Sequence, residues 1–334
     1  MIRYFILFFV PAFLICFKHA KGQDYHFYYD GFLDNREYFN PHISPQTMFG
    51  NRVSLEIGFP LDSANAFYGG LSYLYEFGSK GDLISPDVTL YYKHQKDPFI
   101  FYFGAFPRRD LIRHPRVLLT DTLQFYRPNV EGTFVQFQGD WGYQHVWIDW
   151  LSRQTLNKEE VFLVGYSGCF KIKPFFLKTH AILHHIAGTA NLEEDHNLRD
   201  NGGFMAQAGV DLSGQLFFDR FTFSVGPVFS YDRLRGVYPL EYHQGIIANA
   251  RIGYKGYGVD YTFYKGDGQV QAIGDAFYTA NRYMRFDTYL TPFQNDHASI
   301  RLTFGFHFVP GYVDFSQQLR INFNLNNEVL PIFK

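Results

Sequence analysis

Between Ser299 and Leu325 the side chains change character at every residue. Ile300, Leu302, Phe304, Phe306 and Phe308 alternate with Ser299, Arg301, Thr303, Gly305 and His307. Beyond Pro310 and Gly311, Val313, Phe315, Leu319, Ile321, Phe323 and Leu325 alternate with Asp314, Ser316, Gln318, Arg320, Asn322 and Asn324. A period of two is that of a β-strand with one face in an apolar medium and the other in a polar one. The rhythm recurs upstream, as Phe204, Ala206, Ala208, Val210 and Leu212, as Phe221, Phe223, Val225 and Phe229, and as Tyr257, Val259, Tyr261 and Phe263. Soluble β-sandwiches alternate too, with their apolar faces meeting in a dry core. Here the polar faces carry Arg, Asp, Gln and Asn along long strands, which suits a wet lumen inside a lipid-facing wall.

The connections test that reading independently, because a barrel in an outer membrane alternates short turns on one side with longer loops on the other. Short links fall at Pro60–Asn65, Lys96–Asp97, Gly139–Asp140, Lys173, Ser213–Gln215 and Lys255–Gly256. Longer ones intervene at Phe32–Thr47, Gly78–Ser85, Pro107–Asn129, Arg153–Glu159, Ala187–Gly202, Asp232–Gln244 and Lys265–Arg282; Pro310–Gly311 is the exception, a short turn where a loop is due. The expected fold is all-β, a single antiparallel transmembrane barrel of about 16 strands, within about 14 to 18. With no repeat of fixed period and no linker, residues 23–334 read as one domain.

Residues 1–22 have the anatomy of a signal peptide: Arg3, an apolar stretch from Tyr4 to Phe17 too short for a spanning helix, and small residues at Ala20 and Gly22. Cleavage is expected before Gln23. Lipidation at Cys16 is disfavoured because Ile15 stands where a lipobox wants a small residue. The exported chain then keeps Cys169 alone, so no internal disulfide is available. A net charge of −2 suggests no nucleic-acid partner, whereas 39 Phe and 25 Tyr supply strand formers and interfacial rings. Trp141, Trp147, Trp150, Tyr143 and Tyr166 are expected in that interfacial girdle, with sugar stacking as the competing role.

Pro107–Pro128 is read as the longest outer loop and holds Arg108, Arg109, Arg113, Arg116 and Arg127. Folded inward, it would make a cationic constriction; the alternative is pairing with Glu193, Glu194 and Asp195 or with surface sugars. Glu56, Glu76, Asp149, Lys178, Arg251, Asp260, Arg285, Asp287, Arg301 and Arg320 are expected to face the lumen, which suits a water-filled channel or a plugged barrel cross-linked by ion pairs. His180, His184 and His185 with Ser167, and His145 with Asp149, raise hydrolase chemistry. Their spacing matches no named motif, so structural histidines and no enzyme are expected. His180 and His184 lack a third metal ligand, Gly266-Asp267-Gly268 is too short for a calcium loop, and no cofactor is expected. Cys169 is read as a small apolar strand residue.

The leader, Ile300–Phe308, Val313–Leu325 and the strand Tyr283–Leu290 together resemble porin-type outer-membrane barrels, and the Phe/Tyr richness with Gln23-Asp24 is similar to such proteins of Bacteroidota. The resemblance is one of pattern, over nearly the whole exported chain. It implies the outer membrane of a Gram-negative envelope, contact with outer-membrane lipid, and passage of small hydrophilic solutes, with the arginine loop and lumen charges setting an anionic preference. A non-conducting barrel acting as a binding or assembly partner in secretion or polysaccharide uptake is the second implication. A homo-oligomer is left open, since the flat patch that porin trimers need is not visible in a sequence. The run from Asn326 to Lys334 departs from the pattern, because a standard porin ends on an aromatic residue within its last strand.

Overall fold

The computed structural model describes residues 24–79, 85–191 and 197–325. The leader expected at 1–22, Cys16 and the acidic trio at 193–195 lie outside them. Sixteen strands follow one another: β1 (Asp24–Glu37), β2 (Gln46–Pro60), β3 (Asn65–Glu76), β4 (Asp87–Lys96), β5 (Phe99–Pro107), β6 (Asn129–Gly139), β7 (Gly142–Ser152) and β8 (Val161–Ile172) form the first half. The second half is β9 (Phe175–Ile186), β10 (Arg199–Asp211), β11 (Arg220–Leu234), β12 (Tyr238–Tyr254), β13 (Tyr257–Gly266), β14 (Arg282–Gln294), β15 (Ala298–Val309) and β16 (Tyr312–Leu325). Every neighbouring pair is antiparallel, and β1 closes on β16 in a register running from Phe27 opposite Leu325 to Glu37 opposite Phe315. Closure removes the unpaired edges that a bilayer cannot tolerate.

The expected all-β barrel of about sixteen strands is therefore the observed one. Both described ends, Asp24 and Leu325, lie at the end of the barrel that carries the short turns. At the opposite, loop end one connection differs from expectation. Asp232–Gln244 is not a long loop: β11 and β12 continue as paired strands to a tight turn around Gly236, with a bulge between Asp232 and Leu234. The β-forming Tyr238, Leu240 and Tyr242 extend the ladder, so hydrogen bonding outweighs the loop-like signal of the intervening charges.

Alternation sorts the wall as the sequence implies. Leu71, Leu90, Phe103, Leu177, Phe204, Val225, Phe286 and Phe304 are exposed on the outside as an apolar band. Arg52, Glu56, Asp149, Gln207, Arg285, Asp287 and Asp314 are buried on the inside. Among the described residues no helix is long and apolar enough to cross a membrane; the crossing elements are strands.

A sixteen-stranded barrel encloses more space than its wall side chains fill. At the loop end two segments occupy that space. One is 108–128, which contains the single-turn helix α1 (Leu123–Tyr126); the other is 267–281, with a short 3-10 turn at Ala276–Thr279. They bond to each other through Thr120 N–H to Ile273 O (2.7 Å) and Asp275 N–H to Arg116 O (2.8 Å). Val117 and Leu118 are 0% exposed and join Phe106, Phe134, Trp147, Met205, Val228, Tyr264, Phe277 and Tyr283 in one apolar cluster. Two wall glycines make room. A Cβ at Gly203 would come within 3.0 Å of Leu118, and one at Gly165 within 2.1 Å of the Trp147 ring.

Trp147 is thus a lumen residue, 0% exposed, and not the girdle anchor expected of it; its parity on β7 points it inward. Tyr143 shares that parity and stacks on His145. Trp150, outward near the loop end, stacks on Phe162, and Trp141 lies between Phe137 and Phe170 at a short turn, as girdle residues do.

Candidate functional site

The arginine loop folds inward, as the sequence suggested, but its charges are spent on the wall. Arg108 is buried against Asp149, which also accepts from Glu131 N–H at 3.0 Å, and its Nε–H donates to Arg127 O at 3.2 Å. Arg109 pairs with Glu56 at 2.6 Å beneath the Tyr28 ring. Arg116 joins Asp121 (2.9 Å) and Asp287 (3.4 Å), and Asp287 is also held by Arg285 at 2.7 Å. Arg113 pairs only with the exposed Asp110, and Arg127 makes no ion pair among the described residues. From the wall, Arg320 grips Asp30 (2.8 Å) and donates to Gln124 Oε1 (2.6 Å), while Arg52 donates to Phe125 O (2.7 Å). Arg108, Arg109 and Arg116 pair with carboxylates that become available because the loop enters the barrel, while the alternative partners at 193–195 lie outside the described residues.

Two effects set the protonation of this plug. The Arg116 and Arg36 guanidiniums hold the Asp121 carboxyl well below the usual carboxylate range against the opposing effect of burial, whereas burial pushes Asp275 up. Burial also holds His114 well below the ordinary histidine value, reinforced by neighbouring His180, His145 and Arg108. Its neutral form is required by geometry as well. Trp147 Nε1–H donates to His114 Nε2 at 3.1 Å, so that nitrogen must be an unprotonated acceptor.

Among the foreseen catalytic candidates, Ser167 and His180 do meet, Oγ to Nδ1 at 2.8 Å. Yet Ser167 is 0% exposed beneath the plug, no carboxylate orients His180 among the described residues, and Asp149 is taken by Arg108. His145 sits against Gln136 rather than Asp149. His184 is buried in the lumen with its Nδ1 unpartnered. These groups have neither a complete proton relay nor an approach for substrate.

His185 is different. It points outward from β9, just past Leu183 at the end of the lipid-facing band, and Asp200 opposes it in register on β10. His185 Nδ1–H donates to Asp200 Oδ1 at 2.8 Å, and Arg235 Nε–H donates to Asp200 Oδ2 at 2.8 Å. Phe162 lies 4.9 Å from the imidazole and stacks in turn on Trp150. An acid thus fixes the ring with Nε2 left to accept a proton, at the loop end of the outward wall. Asp200 was not singled out from sequence, because fifteen residues and a hairpin separate it from His185 and only the strand register joins them. A second feature at the loop end is a cleft of about 280 Å³ lined by Asn40, His42, Phe277, Thr279, Asn281 and Tyr312. His42 there has no acidic partner among the described residues. No group of residues suited to hold a metal ion occurs among the described residues.

Fold and wall define an outer-membrane-type β-barrel with the architecture of porins. An anion-selective porin from Comamonas acidovorans superposes with a TM-score of 0.57 at 8% identity, covering 91% of this chain and 100% of its own. OmpT of Vibrio cholerae in its trimer form gives 0.55 at 8%, covering 91% and 100%, and Salmonella typhi OmpF in complex with daunomycin gives 0.53 at 10%, covering 91% and 97%. At such identities the likeness is one of fold. Among curated proteins none matches in sequence. The chain belongs to the Lipid A 3'-O-deacylase-type family, whose model matches residues 18–331. That membership corrects the expectation that the chain is not an enzyme. The expectation rested on histidine spacing along the chain, which is blind to a pair made across strands.

Proposed function

We propose that this protein is a membrane-embedded ester hydrolase that removes an acyl chain from a lipid-A-type glycolipid of the outer leaflet. The observation that carries the reading is the His185–Asp200 pair on the lipid-facing wall, in a chain of the deacylase-type family. Substrate would arrive from the bilayer, so the filled lumen is no obstacle. Oriented by Asp200, His185 takes a proton from water as the water oxygen attacks the ester carbonyl. The tetrahedral carbon then expels the sugar oxygen, which receives that proton, leaving a free fatty acid and an alcohol. Arg233 and Arg235, on the same rim, suit the phosphates of such a headgroup. Solute passage, the first reading of the alternation, would have to run past 108–128 in the lumen.

The test is mass spectrometry of lipid A incubated with the detergent-folded protein. Acyl loss with wild type, cut by about 10²-fold or more in His185→Ala while the heat-modifiable barrel persists, is the expected result. Full activity in His185→Ala with loss in His42→Ala would transfer the chemistry to the cleft, and an inactive wild type would overturn the deacylase reading.

A further inference from the structure

At the turn end of the lumen, beyond the plug, the charge pattern changes. Around the plug most guanidiniums have a carboxylate: Arg36 has Asp34, Arg52 has Asp87, Arg109 has Glu56 and Arg320 has Asp30, Arg127 being the exception among the described residues. Beyond it, Arg220, Arg251 and Arg301 face a space where Asp260 is the shared acid, and Lys178 lies beside them with Asp211 as its acidic neighbour. Arg220 reaches Asp260 at 3.4 Å and Arg301 only at 3.9 Å. Arg251 stands opposite Asp260 in register yet makes no hydrogen bond or ion pair among the described residues. Lys178 lies 4.7 Å over the Phe176 ring and pairs with no carboxylate among the described residues. Arg301 is stacked on Tyr289 at 3.8 Å, which fixes the plane of its guanidinium. Nearer the mouth the single charge of Asp211 is shared between Lys178 and Lys171.

We infer that this basin, at the turn end of the lumen, is an anion-binding site that takes a small phosphoryl dianion. Cations confined by low-dielectric walls and sharing one counter-charge focus a positive potential. Planar guanidiniums held by stacking match the oxygens of phosphate in paired hydrogen bonds. The plug narrows the lumen on the far side of the basin, so an anion entering from the turn end meets these cations first. Thr222, Asn249, Thr262 and Thr303 share the inward parity of these strands and supply neutral donors around the cations. The site is at the opposite end of the barrel from His185 and is independent of the hydrolase reading.

Calorimetric titration of the detergent-folded full chain with inorganic phosphate, and separately with pyrophosphate, tests it. Binding that weakens with salt and falls about tenfold or more in Arg251→Gln, and further in Arg251→Gln with Lys178→Gln, is expected. Lys158→Gln, on the exposed loop between β7 and β8 at the other end of the barrel, should bind as wild type. Tighter pyrophosphate binding would point to a phosphorylated solute, and equal binding to free phosphate. No heat with either anion at millimolar concentration, an unchanged affinity in the double variant, or an equal loss in Lys158→Gln would overturn the inference.

Discussion

Replacing Arg108 with Ala should loosen the plug without dissolving the barrel. Asp149 is 0% exposed, and apart from Arg108 the hydrogen bond it accepts is from Glu131 N–H at 3.0 Å. Truncation therefore leaves a buried carboxylate short of its counter-charge, a loss of about 3 to 5 kcal/mol for a pair broken on one side. The penalty falls on the closed state, since a withdrawn loop lets Asp149 hydrate. At 1.4 kcal/mol per decade, the open-to-closed ratio should rise by roughly two to three and a half orders of magnitude. Planar-bilayer recording reads this: wild type silent or rarely open, Arg108→Ala opening in long bursts. The joint variant Arg108→Met with Asp149→Leu removes both charges and should return the protein to wild-type quiet. Silence in Arg108→Ala, or a joint variant that opens as readily as the single one, would refute the assignment of this pair as the pin of the plug.

Trp147→Ala, which empties a lumen site filled by a fully buried ring, should destabilise by about 3 to 5 kcal/mol; Trp150→Ala, on the lipid face, should cost much less, and denaturant midpoints of the folded barrels distinguish the two. Acid should also release the plug. His114 is held neutral, its value in the closed form lying below the 6.5 of a solvated histidine, so the withdrawn loop binds more protons; closure is fully favoured above 6.5 and weakens as pH falls below it. Conductance or protease cleavage of 108–128 that rises on acidification, and does so less in His114→Gln, is the expected outcome, whereas a pH-independent record would show that His114 does not control closure.

Much of the architecture was legible in the chain because a barrel wall is a local pattern. Ile300–Phe308 and Val313–Leu325 show their two faces residue by residue, and the parity that puts Arg285, Asp287, Arg301 and Arg320 inside follows from the same count. Side chains whose role depends on what fills the lumen were not legible. Trp147 has the composition of an interface residue, and only the inward parity of β7 together with the arrival of 108–128 makes it core. Asp232–Gln244 was misjudged because charged residues resemble a loop until a neighbouring strand offers them a ladder.

The sequence alone determined the strand rhythm, the inside and outside of the wall, and which loop carries the arginines, since these follow from the pleat and from lipid on one side. Tertiary structure decided what the arginines do and where chemistry is available. Insertion of 108–128 and 267–281 buried Ser167 and His180 and gave Arg108, Arg109 and Arg116 their carboxylates. Register across β9 and β10 gave His185 its acid. Contacts of this kind join residues far apart or on neighbouring strands, and closure of the barrel is the physical event that brings them within hydrogen-bonding reach.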